Sequence, residues 1–305
     1  MSEVLILNEH EVESLLDMDE CIAAMEEALV ALARGEVFNP LRSMVRAPDA
    51  PGFLGLMPAW RGGAKAAWAL KEICVYPDNP KRGLDTHVGA VLLHSAETGE
   101  LQGVFNASAI TAIRTAAVSA VATKLLAGEE AKTLTIVGTG VQGRSHRRAI
   151  PRVKELQDVR VVGRNDDVEA AVRVADILVL ATSSREPVIR REWLKPGVHI
   201  NAVGSSVKHT REVDSATMAA ASLFVDRRES TENESGDYLL ARKEGAEVEI
   251  KAELGEILTG VAKGRTSAGE ITLFKSLGLA IEDLASAQLL HEKGLRLGVG
   301  TRVEF

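Results

Sequence analysis

Two groups of residues in this 305-residue chain have types and spacings suited to chemistry. The first is Gly138-Thr139-Gly140-Val141-Gln142-Gly143, a G-x-G-x-x-G pattern. It follows the apolar run Thr133–Val137 and precedes a segment of helical pattern. In that setting the first glycine permits a tight turn, the second lets backbone approach a pyrophosphate, and the third lets helix and strand pack closely. The helix N-terminus then offers N–H groups and partial positive charge to phosphates. A plain glycine turn in an α/β sheet is the competing reading. The second group is cationic. Lys71 lies inside the apolar run Ala66–Val75, with Arg61 and Lys65 near its start, and Arg42 lies in a short strand-like segment. Arg114 is the one charge in the run Ala107–Val121. A charge in such a run is costly unless it is paired or used. Arg42 and Arg114 can each fork onto a carboxylate. Lys71 can pass a proton or stabilise a developing negative charge. An ion pair with a distant carboxylate would explain any one of them. Beside a dinucleotide loop, the set points to an anionic substrate.

The strand after the loop bears on which dinucleotide is bound. A site for NAD usually carries an acid about 20 residues on, to hold the ribose 2′-hydroxyl. Here Val159–Val162 leads into Gly163-Arg164-Asn165, and an arginine there can pair with a 2′-phosphate. NADP(H) is therefore favoured. NAD(H) is the alternative, because Asp166 and Asp167 follow closely.

These residues need elements to hold them. Length alone implies about two domains, at roughly 150 residues each. The N-terminal part opens with the apolar run Val4–Leu7. A helical pattern then covers about 9–34, with Met18, Cys21, Ile22, Met25, Ala28, Leu29 and Leu32 on one face. Short strand candidates follow at Arg42–Arg46, Gly52–Met57, Ala66–Val75 and Val88–His94, separated by Pro, Gly and Asp clusters. This half reads as a mostly antiparallel sheet plus helices. Ala107–Ala127 reads as one long buried helix ended by Gly128. Strands at Thr133–Val137, Val159–Val162, Ile177–Ala181, His199–Val203 and Leu223–Val225 then alternate with helices, which implies a parallel sheet with covered faces. An amphipathic helix at Ile281–Glu292 is placed to rejoin the first domain. The expected division is 1–127 with 281–305 as one domain and 128–280 as the other.

Composition excludes several classes. Lys plus Arg is 36 and Asp plus Glu is 43, a net charge of −7, which suits no nucleic-acid partner. No stretch approaches 18 uninterrupted apolar residues, so no membrane span is expected. Cys21 and Cys74 make no zinc or redox motif, and the seven histidines make no metal pattern. The N-terminus lacks a signal-peptide pattern, and a cytoplasmic location is expected. No G-x-S-x-G elbow marks a hydrolase.

Several segments together resemble the ornithine cyclodeaminase/mu-crystallin family. They are Leu56-Met57-Pro58-Ala59, Leu70-Lys71 with Tyr76-Pro77-Asp78-Asn79, Thr98-Gly99-Glu100, and Ile110-Thr111-Ala112-Ile113-Arg114-Thr115-Ala116-Ala117. The glycine loop and Ile200-Asn201-Ala202-Val203-Gly204-Ser205-Ser206 come next. Arg211-Glu212-Val213-Asp214, Glu234-Ser235-Gly236-Asp237, Ala252-Glu253-Leu254-Gly255-Glu256-Ile257 and Phe274-Lys275-Ser276-Leu277-Gly278-Leu279-Ala280 complete the match in order.

The resemblance implies an α/β protein and a homodimer. A Rossmann-type NAD(P)-binding domain would be joined to an α+β substrate-binding and dimerisation domain, with the cofactor at the domain cleft. It implies that Arg42, Lys71 and Arg114 bind the substrate carboxylate and line the reaction centre. Thr182, Val203 and Gly204 join the glycine loop and Arg164 as candidate cofactor contacts. Two departures matter. Cyclodeaminases of the family carry a catalytic Asp shortly after the glycine matched by Gly204. Here Ser205-Ser206 stands in its place, as in the mu-crystallin-like reductase branch, and serine is no general base at neutral pH. The segment after Arg164 is also short, so a helix and a third strand expected there are missing or much reduced, leaving a shortened domain with one flank exposed. The expected activity is reduction of imines bearing an α-carboxylate, above all cyclic ketimines. Ser206 would orient a water or the cofactor carboxamide. The alternatives are alanine dehydrogenase or iminosuccinate reductase, a cyclodeaminase-type lyase, and a non-catalytic binding protein.

Overall fold

The computed structural model describes residues 3–305. The chain forms two units, one running to Arg114 and resuming at Leu279–Phe305, the other Thr115–Gly278.

The first unit begins with β1 (Glu3–Leu7), α1 (Glu9–Leu15) and α2 (Met18–Ala33). The single helix expected over 9–34 is broken because Asp17 caps α2, accepting from the Asp19 and Glu20 amides. Next come β2 (Val37–Phe38), β3 (Ser43–Val45), β4 (Phe53–Arg61), β5 (Ala67–Val75), β6 (His87–Ser95) and β7 (Leu101–Asn106). Sequence reading missed β7, which is short and lies beyond the Thr98-Gly99 turn. The sheet order is β15-β1-β7-β6-β5-β4-β2, with β3 on β4 and β15 the C-terminal strand Thr301–Glu304. It is antiparallel except for the β1–β7 pair.

Helix α3 (Ala107–Leu126) follows. Its length and composition would let it cross a membrane, but 83% of its most apolar 18-residue stretch is buried inside the protein, as for a core helix apolar on all sides. The boundary between units falls within α3, at Arg114/Thr115, not after 127. The side chains explain this: Thr111 and Arg114 bond within the first unit, while Ser119 and Thr123 bond His146 and Asn201 in the second.

The second unit is β8 (Thr133–Val137), α4 (Val141–Ala149), β9 (Asp158–Val162), α5 (Val168–Arg173), β10 (Ile177–Leu180), β11 (His199–Ala202), α6 (Ser215–Ala220), β12 (Ser222–Val225), α7 (Arg228–Glu234), α8 (Gly236–Lys243), β13 (Ile250–Glu253), α9 (Leu254–Leu258) and β14 (Thr272–Lys275). Its seven strands are all parallel, in the order β13-β12-β14-β11-β10-β8-β9. Leu178, Leu180, Ile200, Ala202, Leu223 and Leu273 sit in its core. β9 is an edge strand, and the chain passes from it through the six-residue α5 straight to β10, which pairs with β8. A third strand beyond β9 is absent among the described residues. Helix α10 (Ala280–Leu297) returns the chain to the first sheet, against β4, β5 and β6.

Candidate functional site

In the first unit, strand alternation sets the site. Ala67, Ala69, Lys71 and Ile73 of β5 are buried, while Trp68 and Glu72 between them are exposed. Lys71 therefore points to the face that α10 covers. It is 2% exposed, and its Nζ donates to Thr111 Oγ1 (2.6 Å) and to Asp283 Oδ1 (3.2 Å). Arg114 lies three residues beyond Thr111 on α3. Its Nε reaches the same Asp283 Oδ1 at 3.2 Å, and its Nη1 reaches Glu282 Oε2 at 2.8 Å. One carboxylate oxygen thus bridges both cations. Glu282 and Asp283 occupy the first turn of α10, where the helix dipole favours negative charge. That turn is anchored by Asn39, whose Oδ1 accepts from the Ile281 amide at 2.9 Å.

Burial pulls the Lys71 ammonium down to about 8; Asp283 opposes the shift, and the positive charges of Arg114 and Arg42 add to it. Arg42 is half-buried, and its charge acts on Lys71. Arg61 and Lys65 are not in this cluster: both pair with Glu27, at 2.6 and 2.5 Å. The ion-pair reading thus holds for those two.

In the second unit the glycine loop has the geometry its spacing implies. Gly138 has φ +127°, and a Cβ there would lie 2.4 Å from the Ala181 carbonyl oxygen. A Cβ on Gly143 would lie 2.0 Å from the Gly138 oxygen. Nothing lies within 4 Å of a Cβ built on Gly140, which begins α4 with no side-chain cap. Thr139, Val141 and Gln142 fill the turn between. The loop therefore fits the pyrophosphate of a dinucleotide, with Gly140 leaving room and α4 presenting its N-terminus.

Arg164 is exposed just past β9. The Gly138 amide bonds Val162, and Gly163 sits against Thr139, so Arg164 flanks the loop. Asp166 accepts from the Gly163 amide (2.7 Å), and Asp167 caps α5 through Ala170 (3.0 Å).

The ends of β10 and β11 meet a buried carboxylate that sequence reading quoted without a role. Glu212 accepts from the Thr182 amide (2.6 Å), the Thr182 hydroxyl (2.8 Å) and the amides of Gly204 (2.7 Å) and Ser205 (3.2 Å). Burial raises its carboxyl to about 6, aided by Asp237, while Lys275 and the Thr182 donors act against the shift. Lys275 pairs with Asp237 at 2.8 Å and donates to the Ser205 carbonyl at 2.6 Å. Val203 and Gly204 donate back to Leu180, and a Cβ on Gly204 would meet the Thr182 oxygen at 2.1 Å. The Ser205 hydroxyl bonds Thr210. The half-buried Ser206 has no hydrogen-bond partner among the described residues. Among those residues no group of three His, Cys, Asp or Glu is placed to hold a metal.

Known proteins agree with this architecture. The model of the ornithine cyclodeaminase/mu-crystallin family matches residues 2–169 and 165–296, two pieces that meet where the chain is short after Arg164. The ketimine reductase mu-crystallin of Mus musculus is 38% identical over 292 residues, covering 89% of this chain and 91% of that protein. The structure of Thermococcus litoralis Δ1-pyrroline-2-carboxylate reductase with NADH and L-proline is similar at a TM-score of 0.93 and 38% identity, covering 98% of this chain and all of that one. An archaeal alanine dehydrogenase dimer with bound NAD has a TM-score of 0.92 at 33% identity and 99% coverage of both chains. The chain belongs to the ornithine cyclodeaminase/mu-crystallin family.

Proposed function

We propose that the protein reduces imines bearing an α-carboxylate with a nicotinamide cofactor, preferring the cyclic ketimines Δ1-pyrroline-2-carboxylate and Δ1-piperideine-2-carboxylate and forming L-proline and L-pipecolate. The observation that carries this reading is the buried Lys71–Asp283–Arg114 cluster, with Arg42 acting on it, in a chain that also holds a dinucleotide cradle. Arg42 and Arg114 clamp the substrate carboxylate and so orient the C=N carbon, an entropic advantage. Lys71, an ammonium at neutral pH, keeps the imine nitrogen protonated and its carbon electrophilic. The nicotinamide, when bound, supplies the hydride. Gly138, Gly140 and Gly143 cradle its pyrophosphate, and Thr182, Val203 and Gly204 present backbone from the ends of β10 and β11. Ser206 orients a water or the carboxamide.

A cyclodeaminase needs a carboxylate base after Gly204, and Ser205-Ser206 provides none. Reductive amination of pyruvate is the second reading, favoured by the likeness to alanine dehydrogenase. The test is purified protein with reduced cofactor and each cyclic imine, or pyruvate with ammonia, and separately ornithine with NAD. Loss of reduced-cofactor absorbance dependent on a cyclic imine is expected. Ammonia release from ornithine without imine reduction would overturn the proposal.

The cofactor is NADP(H) on this reading. Asp166 and Asp167 each already accept a backbone amide, while Arg164 stands exposed beside the loop. Arg164→Ala is expected to weaken NADPH about 10- to 100-fold, the worth of a charged hydrogen bond. NADH binding should change less than about twofold. Equal losses in fluorescence titrations with the two cofactors would remove the 2′-phosphate role.

The protein is a homodimer on this reading. The sheet face opposite α10 carries the cross-strand row Pro58, Leu70, Leu92, Val104 and Ile6, with Trp68 beside it 45% exposed. Such a contiguous apolar patch on a β-sheet marks an interface. Leu92→Asp is expected to convert a dimer to a monomer in light scattering, since it buries a charge at the row's centre. A wild-type monomer would count against the interface.

A further inference from the structure

Asp283 belongs to no motif residue set and lies 212 positions from Lys71, yet it touches both Lys71 and Arg114. Its Oδ1 stands 3.2 Å from Lys71 Nζ and 3.2 Å from Arg114 Nε. Its Oδ2 is buried with no hydrogen-bond partner. A carboxylate in the first turn of α10, held there by Asn39 on the Ile281 amide, has little freedom to move. Glu282 differs: it pairs with Arg114, at 2.8 Å.

We propose that Asp283 is a positioning residue that couples the carboxylate clamp to the proton donor, holding Arg114 and Lys71 on one oxygen and stabilising Lys71 as an ammonium. This rests on the reductase reading. Arg114 then has its Nε and Nη1 held by acids while it receives the substrate carboxylate. Lys71 has one hydrogen directed to Thr111 and one to Asp283, leaving its third for the imine nitrogen.

The groups facing Lys71 can be named from each packed element. Asp283 comes from α10. Thr111 and Arg114 come from α3. Arg42 acts from the segment before β3. The register neighbours on β4 and β6 are the uncharged Met57 and Val91. His87 of β6 feels Lys71 and Arg114; desolvation and then those cations push its pKa down, so it adds no positive charge at neutral pH. Cys21 of α2, beside Arg114 and Glu282, is a thiol held neutral by burial at about 12. Among the described residues Asp283 is therefore the carboxylate paired with Lys71. Removing its charge leaves burial and two guanidinium fields to drive Lys71 neutral.

The experiment is the pH profile of kcat/KM for wild type, Asp283→Asn and Glu282→Gln with one imine, so that the substrate's own titration cancels. For Asp283→Asn the alkaline limb is expected to move down by about one pH unit or more, the usual effect of losing an adjacent opposite charge. At pH 8 this variant should be about fivefold slower relative to its activity at pH 6 than wild type is. Glu282→Gln should raise KM without moving the limb. A merely structural role would lower activity at every pH alike. The Lys71 titration is also read directly, from the 13C shift of its ε carbon in wild type and variant, which needs no turnover. An inactive wild type would sink the reductase reading, and the NMR titration would still decide the coupling. An unmoved limb and an unmoved NMR titration in Asp283→Asn would overturn it. Should the Asn variant not fold, Asp283→Ser against the charge-keeping Asp283→Glu gives the same contrast.

Discussion

Replacing Lys71 with Met is expected to lower kcat for cyclic imines by about a hundredfold or more, the contribution of a positioned general acid. NADPH affinity should stay within about twofold. Met matches the stem of Lys in length and lacks the charge, so it fills the slot between Ala69 and Ile73 on the buried face of β5. Asp283 keeps Arg114 on its Oδ1, which leaves its charge compensated and the fold intact. Without the ammonium, the imine nitrogen is protonated only by solution acid. The loss should therefore be smallest at low pH, and external acid should recover part of it. Wild-type kcat, by contrast, should fall above about pH 8, where Lys71 loses its proton. Stopped-flow oxidation of NADPH gives kcat, and NADPH fluorescence gives Kd. A variant that retains more than about a tenth of wild-type kcat would show that Lys71 is no proton donor.

Lys71 also shows what was legible in the sequence. A cation inside an apolar, alternating strand announces itself, because nothing in the local pattern accounts for it. Arg114 stands out in the same way in an uncharged helix. The glycine loop is legible because its three glycines answer local demands: a positive φ at Gly138 and close backbone approach at Gly143. Partners are not legible. Asp283 and Glu282 sit in an amphipathic helix with ordinary acidic residues, and only the fold brings them to Lys71. The signal that could have found them is a pair of adjacent acids set between Ile281 and Leu284 at the start of a helix, where both prove to be buried. Arg61 and Lys65 looked like candidates for want of knowing that Glu27 of α2 reaches both. Glu212 escaped for a related reason: its four donors come from two strand ends some 7 to 30 residues away. Strands β13 and β14, four residues each, did not stand out in the sequence. Their place in the sheet is set by long-range parallel pairing, with β14 inserted between β11 and β12. The short passage after Arg164, in contrast, was readable against the family's pattern, and it leaves β9 as the sheet edge.

Arg114→Ala is expected to be the most damaging change, because two effects coincide. In the proposed carboxylate clamp Arg114 supplies a charge-assisted contact, and its loss should raise KM about a hundredfold. Misorientation of the C=N carbon should lower kcat as well, as for an interaction that also positions the reacting atoms. The structural effect is separate. Arg114 is 4% exposed and neutralises Glu282, which is fully buried, together with Asp283. Breaking a buried pair by removing one partner costs about 3–5 kcal/mol. At about 2–4 °C per kcal/mol for units of this size, the melting temperature should fall by roughly 10 °C. Arg114→Lys separates the two effects. Its ammonium restores a positive charge to the acids and should recover most of the lost stability, but it cannot reproduce the planar fork, so KM should remain high. Calorimetry and steady-state kinetics on both variants decide the matter. If Lys restored KM along with stability, Arg114 would be a structural counter-charge for α10 and not part of the substrate clamp.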